Sequence, residues 1–189
     1  MRIISGSFRG KKIHEPKDIK TRPLKDLTKE SIFNIIKHSQ KFSINLESSE
    51  ILDLFSGTGS FGIECLSRGA KYVTFVENYE RILPILKKNL DNLNSQKNYS
   101  IFEKNILNDF NLVKLKKNFD IIFLDPPYNF SMDQYLDLIN VIKQRNLLFE
   151  NGEIIIEHSS NISLIEKNNK IDERKYGSSI LSFIKKASL

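Results

Sequence analysis

A single cysteine, Cys65, is all the thiol carried by this chain of 189 residues. That excludes an intrachain disulfide framework and any cysteine-rich zinc site. The three histidines, His14, His38 and His158, lie far apart and show no metal-ligand spacing, so no metal is expected. No apolar run approaches the roughly 20 residues that cross a bilayer. The opening stretch Met1-Arg2-Ile3-Ile4-Ser5-Gly6 has neither the apolar centre nor the cleavage site of an export signal. Internal repeats and long low-complexity tracts are missing as well. The expectation is a cytoplasmic protein without membrane association, with a monomer as the plainer state.

What is present fits one domain with room for a small appendage. Hydrophobic residues make up 40% and charged residues 28%, an ordinary balance for a globular chain. The charge is unevenly placed. Residues 1–41 hold eleven Lys/Arg against four Asp/Glu, a local +7, while the whole chain is +6. The basic character therefore belongs to the N-terminal segment, and such asymmetry points to a polyanionic partner. Its plainer reading is a lysine-rich solvated face.

From residue 51 onward, apolar runs alternate with amphipathic stretches. Strands are expected at 51–55, 72–76, 99–102, 120–124 and 153–156, with helices near 60–68, 79–93 and 132–144. The run at 120–124 is almost continuously apolar, as in a strand buried on both faces. Two final strands, 171–176 and 179–184, flank Gly177-Ser178 as a hairpin. This alternation predicts a mostly parallel α/β sheet with a ligand crevice at the C-terminal strand ends. Residues 1–46 read as a basic extension packed on a domain spanning 47–189. The extension combines short β-like runs around Gly6 and Gly10 with an amphipathic helix over 25–37. Leu27, Ile32, Phe33, Ile35 and Ile36 supply that helix's apolar contacts.

Asp53-Leu54-Phe55-Ser56-Gly57-Thr58-Gly59-Ser60-Phe61-Gly62 places a G-x-G-x-x-G between a strand and a helix. Alone, that pattern suits a dinucleotide pyrophosphate, or simply closes a βα turn. Asp53 argues against the pyrophosphate, which its carboxylate would repel. It suits instead the cationic amino group of S-adenosylmethionine, with the glycines letting the backbone approach adenosine. Glu77 ends the next strand, where an acid can accept both ribose hydroxyls; that holds for either ligand. Asn105, after the third strand, can meet an adenine edge through its side chain or the Ile106 amide, or serve as a turn asparagine. Phe55, Gly57, Gly59 and Asn78 complete the expected cofactor set.

Asp125-Pro126-Pro127-Tyr128 follows the buried-type strand and is the most specific signal in the chain. Two prolines remove amide donors and stiffen the backbone, making the nearby carbonyls fixed acceptors. An exocyclic amine on a nucleobase is a poor nucleophile because its lone pair is delocalised into the ring. Hydrogen bonds from that amine to Asp125 and the Pro126 carbonyl favour rehybridisation, and Tyr128 can stack on the base. The bland reading is a rigid turn ending a strand. The order of glycine loop, Glu77 and this motif favours amino-methylation.

The chain resembles the bacterial 16S rRNA guanine-N2 methyltransferases of the RsmD family over nearly its whole length. The resemblance rests on Arg2-Ile3-Ile4-Ser5-Gly6-Ser7-Phe8-Arg9-Gly10-Lys11-Lys12-Ile13, on Arg22-Pro23 through Lys29-Glu30-Ser31-Ile32-Phe33-Asn34, on the two central motifs and on the Tyr176-Gly177 hairpin. It implies a Rossmann-like seven-stranded S-adenosylmethionine-dependent methyltransferase fold with a small N-terminal extension. It also implies S-adenosylmethionine as donor, and 16S rRNA or the small ribosomal subunit as partner. Asp125, Pro126 and Tyr128 would be catalytic, and Arg22, Asn34, Arg9, Lys11, Lys12 and Pro127 would meet substrate. Lys29 departs from the usual Arg: it keeps the charge and loses the planar fork that makes bidentate RNA or cofactor contacts.

Several residues are set aside. Cys65 reads as a small core residue, and the Lys114–Lys117 and Lys185-Lys186 runs read as solvated faces. His158 stands at the functional end of its strand, where a substrate contact is open to it. Two other functions fit the central motifs: a DNA adenine-N6 methyltransferase, for which 189 residues leave little room for target recognition, and an RNA-binding module without catalysis.

Overall fold

The computed structural model describes residues 1–16, 26–39, 44–93, 98–105, 115, 118–127, 129–162, 164 and 171–189. Among them, helix α1 (Asp26–His38) precedes strand β1 (Glu50–Leu54), α2 (Ser60–Ser67), β2 (Tyr72–Glu77), α3 (Leu83–Asp91) and β3 (Tyr99–Glu103). Then come β4 (Phe119–Leu124), α4 (Met132–Gln144), β5 (Leu148–Ser159), β6 (Asp172–Tyr176) and β7 (Ser179–Lys185). The strands form one seven-stranded sheet in the order β3-β2-β1-β4-β5-β7-β6. The first five are parallel; β7 runs antiparallel to both β5 and β6. Strand order reverses between β1 and β4, so a crevice opens there beyond their C-terminal ends.

Alternation along β4 explains its unbroken apolar run. Ile121 and Phe123 enter the core shared with α1 and α2, whereas Ile122 and Leu124 enter the one shared with α4. On the first face, Phe61 stacks between Phe33 and Phe123 at centroid distances of 5.4 and 3.9 Å. This aromatic column ties α1 to α2 and β4.

The N-terminal residues fold back on themselves and dock on α2. Ile3 N–H donates to Lys11 O at 3.0 Å, and Ile13 N–H donates to Met1 O at 3.0 Å. Ser7 N–H reaches Ser67 O at 2.7 Å, at the end of α2. Gly6 makes that approach possible: a Cβ there would sit 1.8 Å from Ser67 O, and its φ is +84°. Ile3 and Ile13 are buried in the same core cluster as Ile51 and Phe75.

Three expectations shift. The helix expected at 79–93 spans only Leu83–Asp91, because Pro84 has no amide hydrogen to bond a preceding turn and takes a first-turn position. The strand expected at 153–156 runs from Leu148 through Ser159. Gly152 falls within it because any Cβ would lie 2.8 Å from Phe119 O. Leu27, counted among the apolar contacts of α1, is 72% exposed; it falls outside the buried stripe formed by Ile32, Phe33, Ile35 and Ile36. No helix among the described residues is long and apolar enough to cross a membrane.

Candidate active site

A cleft of about 380 Å³ opens at the strand-order reversal. The loop from β1 to α2 forms one wall. Phe55 adopts a left-handed φ of 61°, followed by Gly57 at 55° and Gly59 at 84°. For a residue with a side chain, that conformation costs on the order of 1–3 kcal/mol. Here it ends β1 abruptly, and the ring packs edge-on against Phe130 at 5.3 Å. Gly59 caps the N-terminus of α2.

Asp53 is 1% exposed, and Oδ2 accepts the Gly62 N–H at 3.0 Å. Burial pushes its carboxyl up to about 8; the Gly62 bond opposes the rise and the nearby Glu77 charge adds to it. A buried carboxylate with this environment favours a cationic partner in the cleft. Glu77, at the end of β2, is held by three backbone donors. Gly57 N–H meets Oε2 at 2.7 Å, and the amides of Asn78 and Tyr79 meet Oε1 at 2.8 and 2.9 Å. The carboxylate is thereby fixed at the mouth between loop and strand, with acceptor capacity remaining on Oε2.

Asn89 of α3 braces the glycine loop from behind. Its Nδ2 donates to Thr58 O and His14 O, both at 3.0 Å, and its Oδ1 accepts His14 N–H at 2.8 Å. One buried amide thus joins the loop to the N-terminal residues. Pro16, two residues on, lines the cleft.

The opposite wall follows β4. Asp125, Pro126 and Pro127 line the cleft, and Phe130 N–H donates to Pro127 O at 2.9 Å, closing the turn. Tyr135 of α4, 2% exposed, stands beside it. Burial, then the charges of Asp125 and Glu157, raise its phenol above the ordinary tyrosine range. From β5 come Glu157 and His158. His158 Nε2 lies 2.7 Å from Ser182 Oγ, which donates to Glu173 Oε1 at 3.1 Å; Nδ1 lies 3.0 Å from Ser159 O. Desolvation lowers the imidazole pKa, against the opposing pull of Ser159 O and Glu173.

Of the residues singled out in the sequence, Asp53, Phe55, Gly57, Glu77, Asn78, Asp125, Pro126 and Pro127 meet in this one cleft. Asn105 lines an adjoining pocket that shares Phe55, Glu77, Asn78 and Pro127. Arg22, Ile106 and Tyr128 lie outside the described residues. Asn34 is exposed on α1, and Arg9, Lys11 and Lys12 lie on the N-terminal fold; none of the four lines the cleft. Lys29, considered for RNA or cofactor contacts, is fully buried and bonded to protein groups: Arg2 O at 2.9 Å and Ser60 Oγ at 3.2 Å. Tyr135, Glu157 and Asn89 were missed. For Glu157 a signal existed: a carboxylate directly after an apolar strand run. Among the described residues, no group of three or more His, Cys, Asp or Glu is arranged to hold a metal.

Comparison with known proteins adds a second line. The family model described as "Conserved hypothetical protein 95" matches residues 1–185. The chain is 34% identical over 170 residues to Ribosomal RNA small subunit methyltransferase D of Haemophilus influenzae, covering 89% of this chain and 84% of that one. A solved structure described as a methylase, also from Haemophilus influenzae, aligns with TM-score 0.72 at 30% identity over 96% of each chain. A methyltransferase solved in complex with SAH shares the fold at TM-score 0.61 and 18% identity, over 82% of this chain and 48% of that one.

Proposed function

The chain belongs to the conserved hypothetical protein 95 family, the RsmD family, and on that premise we propose that it transfers a methyl group from S-adenosylmethionine to guanine N2 in small-subunit rRNA. The observation that carries the proposal is the meeting, in one cleft, of the Asp53–Gly57 loop and Glu77 with the Asp125-Pro126-Pro127 turn. Residues 1–46 would act as a basic arm on the methyltransferase domain.

The cofactor fits the residues present. Asp53 would face the cationic amino group, which stabilises its charged form and offsets the burial that now opposes it. Glu77 would accept from the ribose, and Phe55, Asn78 and Asn105 would enclose the adenine side. When bound, S-adenosylmethionine supplies a methyl carbon on a cationic sulfur, open to in-line attack. Asp125 and the Pro126 carbonyl would accept the two amino hydrogens of the target base and aim its lone pair. Positioning and electrostatics of this kind supply most of the barrier reduction for such a transfer. Tyr128 would stack on the base, a contact worth about 1–3 kcal/mol.

The test offers labelled S-adenosylmethionine together with assembled small subunits, naked rRNA or duplex DNA, then identifies the modified nucleoside. The expected product is N2-methylguanosine in small-subunit rRNA. Label found only as N6-methyladenine would overturn the proposal in favour of a DNA or RNA adenine enzyme.

A further inference from the structure

The cleft contains a second carboxylate beside Asp125. Strands β4 and β5 run parallel with Leu124 opposite Ile156; Asp125 follows directly beyond the end of β4, and Glu157 continues β5. At that last paired register the backbones lie about 4.8 Å apart, so both residues start from the same end of the sheet. Both residues line the cleft, and Glu157 is 6% exposed. The buried Tyr135 lines the same cleft, and burial followed by the charges of both residues raises its phenol pKa.

Asp-Pro-Pro-Tyr serves amino groups of either purine, so the choice of base has to come from elsewhere in the site. Guanine carries N1–H next to its 2-amino group; adenine carries a bare N1 lone pair next to its 6-amino group. A carboxylate facing the base's N1 therefore attracts guanine through a charge-assisted hydrogen bond and repels adenine. We infer that Glu157 is a specificity residue that accepts the N1–H of the target guanine while Asp125 accepts from N2. This rests on the guanine-N2 reading above. No bond changes at N1, which keeps its proton throughout.

The discriminating probe is 2-aminopurine, which has the 2-amino group but a bare N1. Once the modified guanine is mapped, small-subunit rRNA assembled by ligation can carry guanine or 2-aminopurine at that position. Methyl-transfer rates are then compared for the wild type and for Glu157→Gln. A site built around a hydrogen bond rejects an analogue lacking it strongly, so the wild type is expected to prefer guanine by about 100-fold or more. The Gln amide can turn a donor toward a bare N1, so the variant is expected to narrow that ratio roughly tenfold or more. An unchanged ratio, with both substrates slowed alike, overturns the inference and leaves Glu157 a structural carboxylate. If the variant does not fold, the wild-type ratio alone decides: equal rates on the two bases overturn it. Failure of the guanine-N2 reading looks different, because then the wild type transfers no methyl to N2 of unsubstituted rRNA and the inference falls with it.

Discussion

Lys29 Nζ stands 3.7 Å from Glu64 Oε2, and neither side chain is exposed to solvent. Glu64 also accepts the amides of Ile4 and Ser5 at 2.8 and 2.9 Å and Arg68 Nε at 2.8 Å. The pair therefore fastens the N-terminal residues and α1 to α2, whose first residue, Ser60, lines the cleft. Removing Glu64 leaves Lys29 buried without its carboxylate, at a cost of about 3–5 kcal/mol, whereas removing Lys29 leaves Glu64 paired with Arg68 at 2.8 Å and with two backbone amides, a smaller loss. In urea denaturation Glu64→Leu is expected to destabilise by about 3–5 kcal/mol and Lys29→Met by less. The double variant should lose clearly less than the sum. Additive losses would mean that the two charges do not depend on each other.

Asp53 gives the fold a pH signature. Its folded carboxyl titrates at about 8 and its ordinary value is 3.8, so the folded state holds a proton that the unfolded chain has released. Sign follows from that: the penalty is absent below about 4, grows as pH rises, and is complete above about 8. In the cofactor-free protein, Asp53→Asn is expected to raise stability at neutral pH and flatten this pH dependence, while weakening S-adenosylmethionine binding. Thermal unfolding across pH 4–9, paired with calorimetric titration of the cofactor, checks both halves. A variant whose pH profile parallels the wild type would remove Asp53 as the source.

Gly62 lies inside α2, where exchanging Gly for Ala ordinarily stabilises by about 0.5–1 kcal/mol. Here the sign should invert. A Cβ would lie 2.3 Å from Phe75 Cε1 and 2.8 Å from Val73 Cγ1, both on β2 beneath the helix. Phe75 is fully buried and has little room to yield. Gly62→Ala is expected to destabilise by roughly 1–3 kcal/mol, as overpacked cores do. A denaturation midpoint at or above the wild type would show that α2 can ride up off the sheet without loss.

The sheet was legible because hydrophobic period and glycine punctuation are local. Strand 120–124 announced burial on both faces, and the glycine loop and Asp125 announced the crevice. What escaped was set by contacts distant in sequence. Asn89 sits in a helix whose sequence gives no hint that its amide spans His14 and Thr58. Lys29 read as a cation for RNA or cofactor contacts because a buried lysine is rare without a carboxylate, and Glu64 is 35 positions away. Glu157 gains meaning only when β5 is laid beside β4, a pairing that the sequence suggests by topology but does not register.

Asp125 separates binding from transfer. It lies on the β4 side of the cleft, whereas the residues proposed to hold the cofactor lie at or beyond the ends of β1, β2 and β3. Asp125→Ala is therefore expected to slow methyl transfer by about 100-fold or more, the usual scale for losing a positioned transition-state acceptor. The dissociation constant for S-adenosylmethionine should change little. Single-turnover transfer and equilibrium binding, measured on the same preparation, test the split. Equal loss of both would reassign Asp125 to the cofactor.

The basic N-terminal residues do not all have the same role. Lys11 Nζ donates to Asn92 O and Leu93 O at 3.2 and 3.3 Å, just beyond the end of α3, and lies 4.9 Å over the Phe8 ring. A cation there satisfies carbonyls that the helix leaves open and complements its negative end. Arg9 and Lys12 are exposed, and their charges are available to a phosphate backbone. If the N-terminal face carries rRNA, Arg9→Ala and Lys12→Ala should each reduce the slope of log affinity against log salt by about 1. Lys11→Ala should leave that slope nearly unchanged and instead lower the unfolding temperature slightly. A slope unchanged from the wild type in all three variants would make this face structural and move the RNA contact elsewhere on the protein.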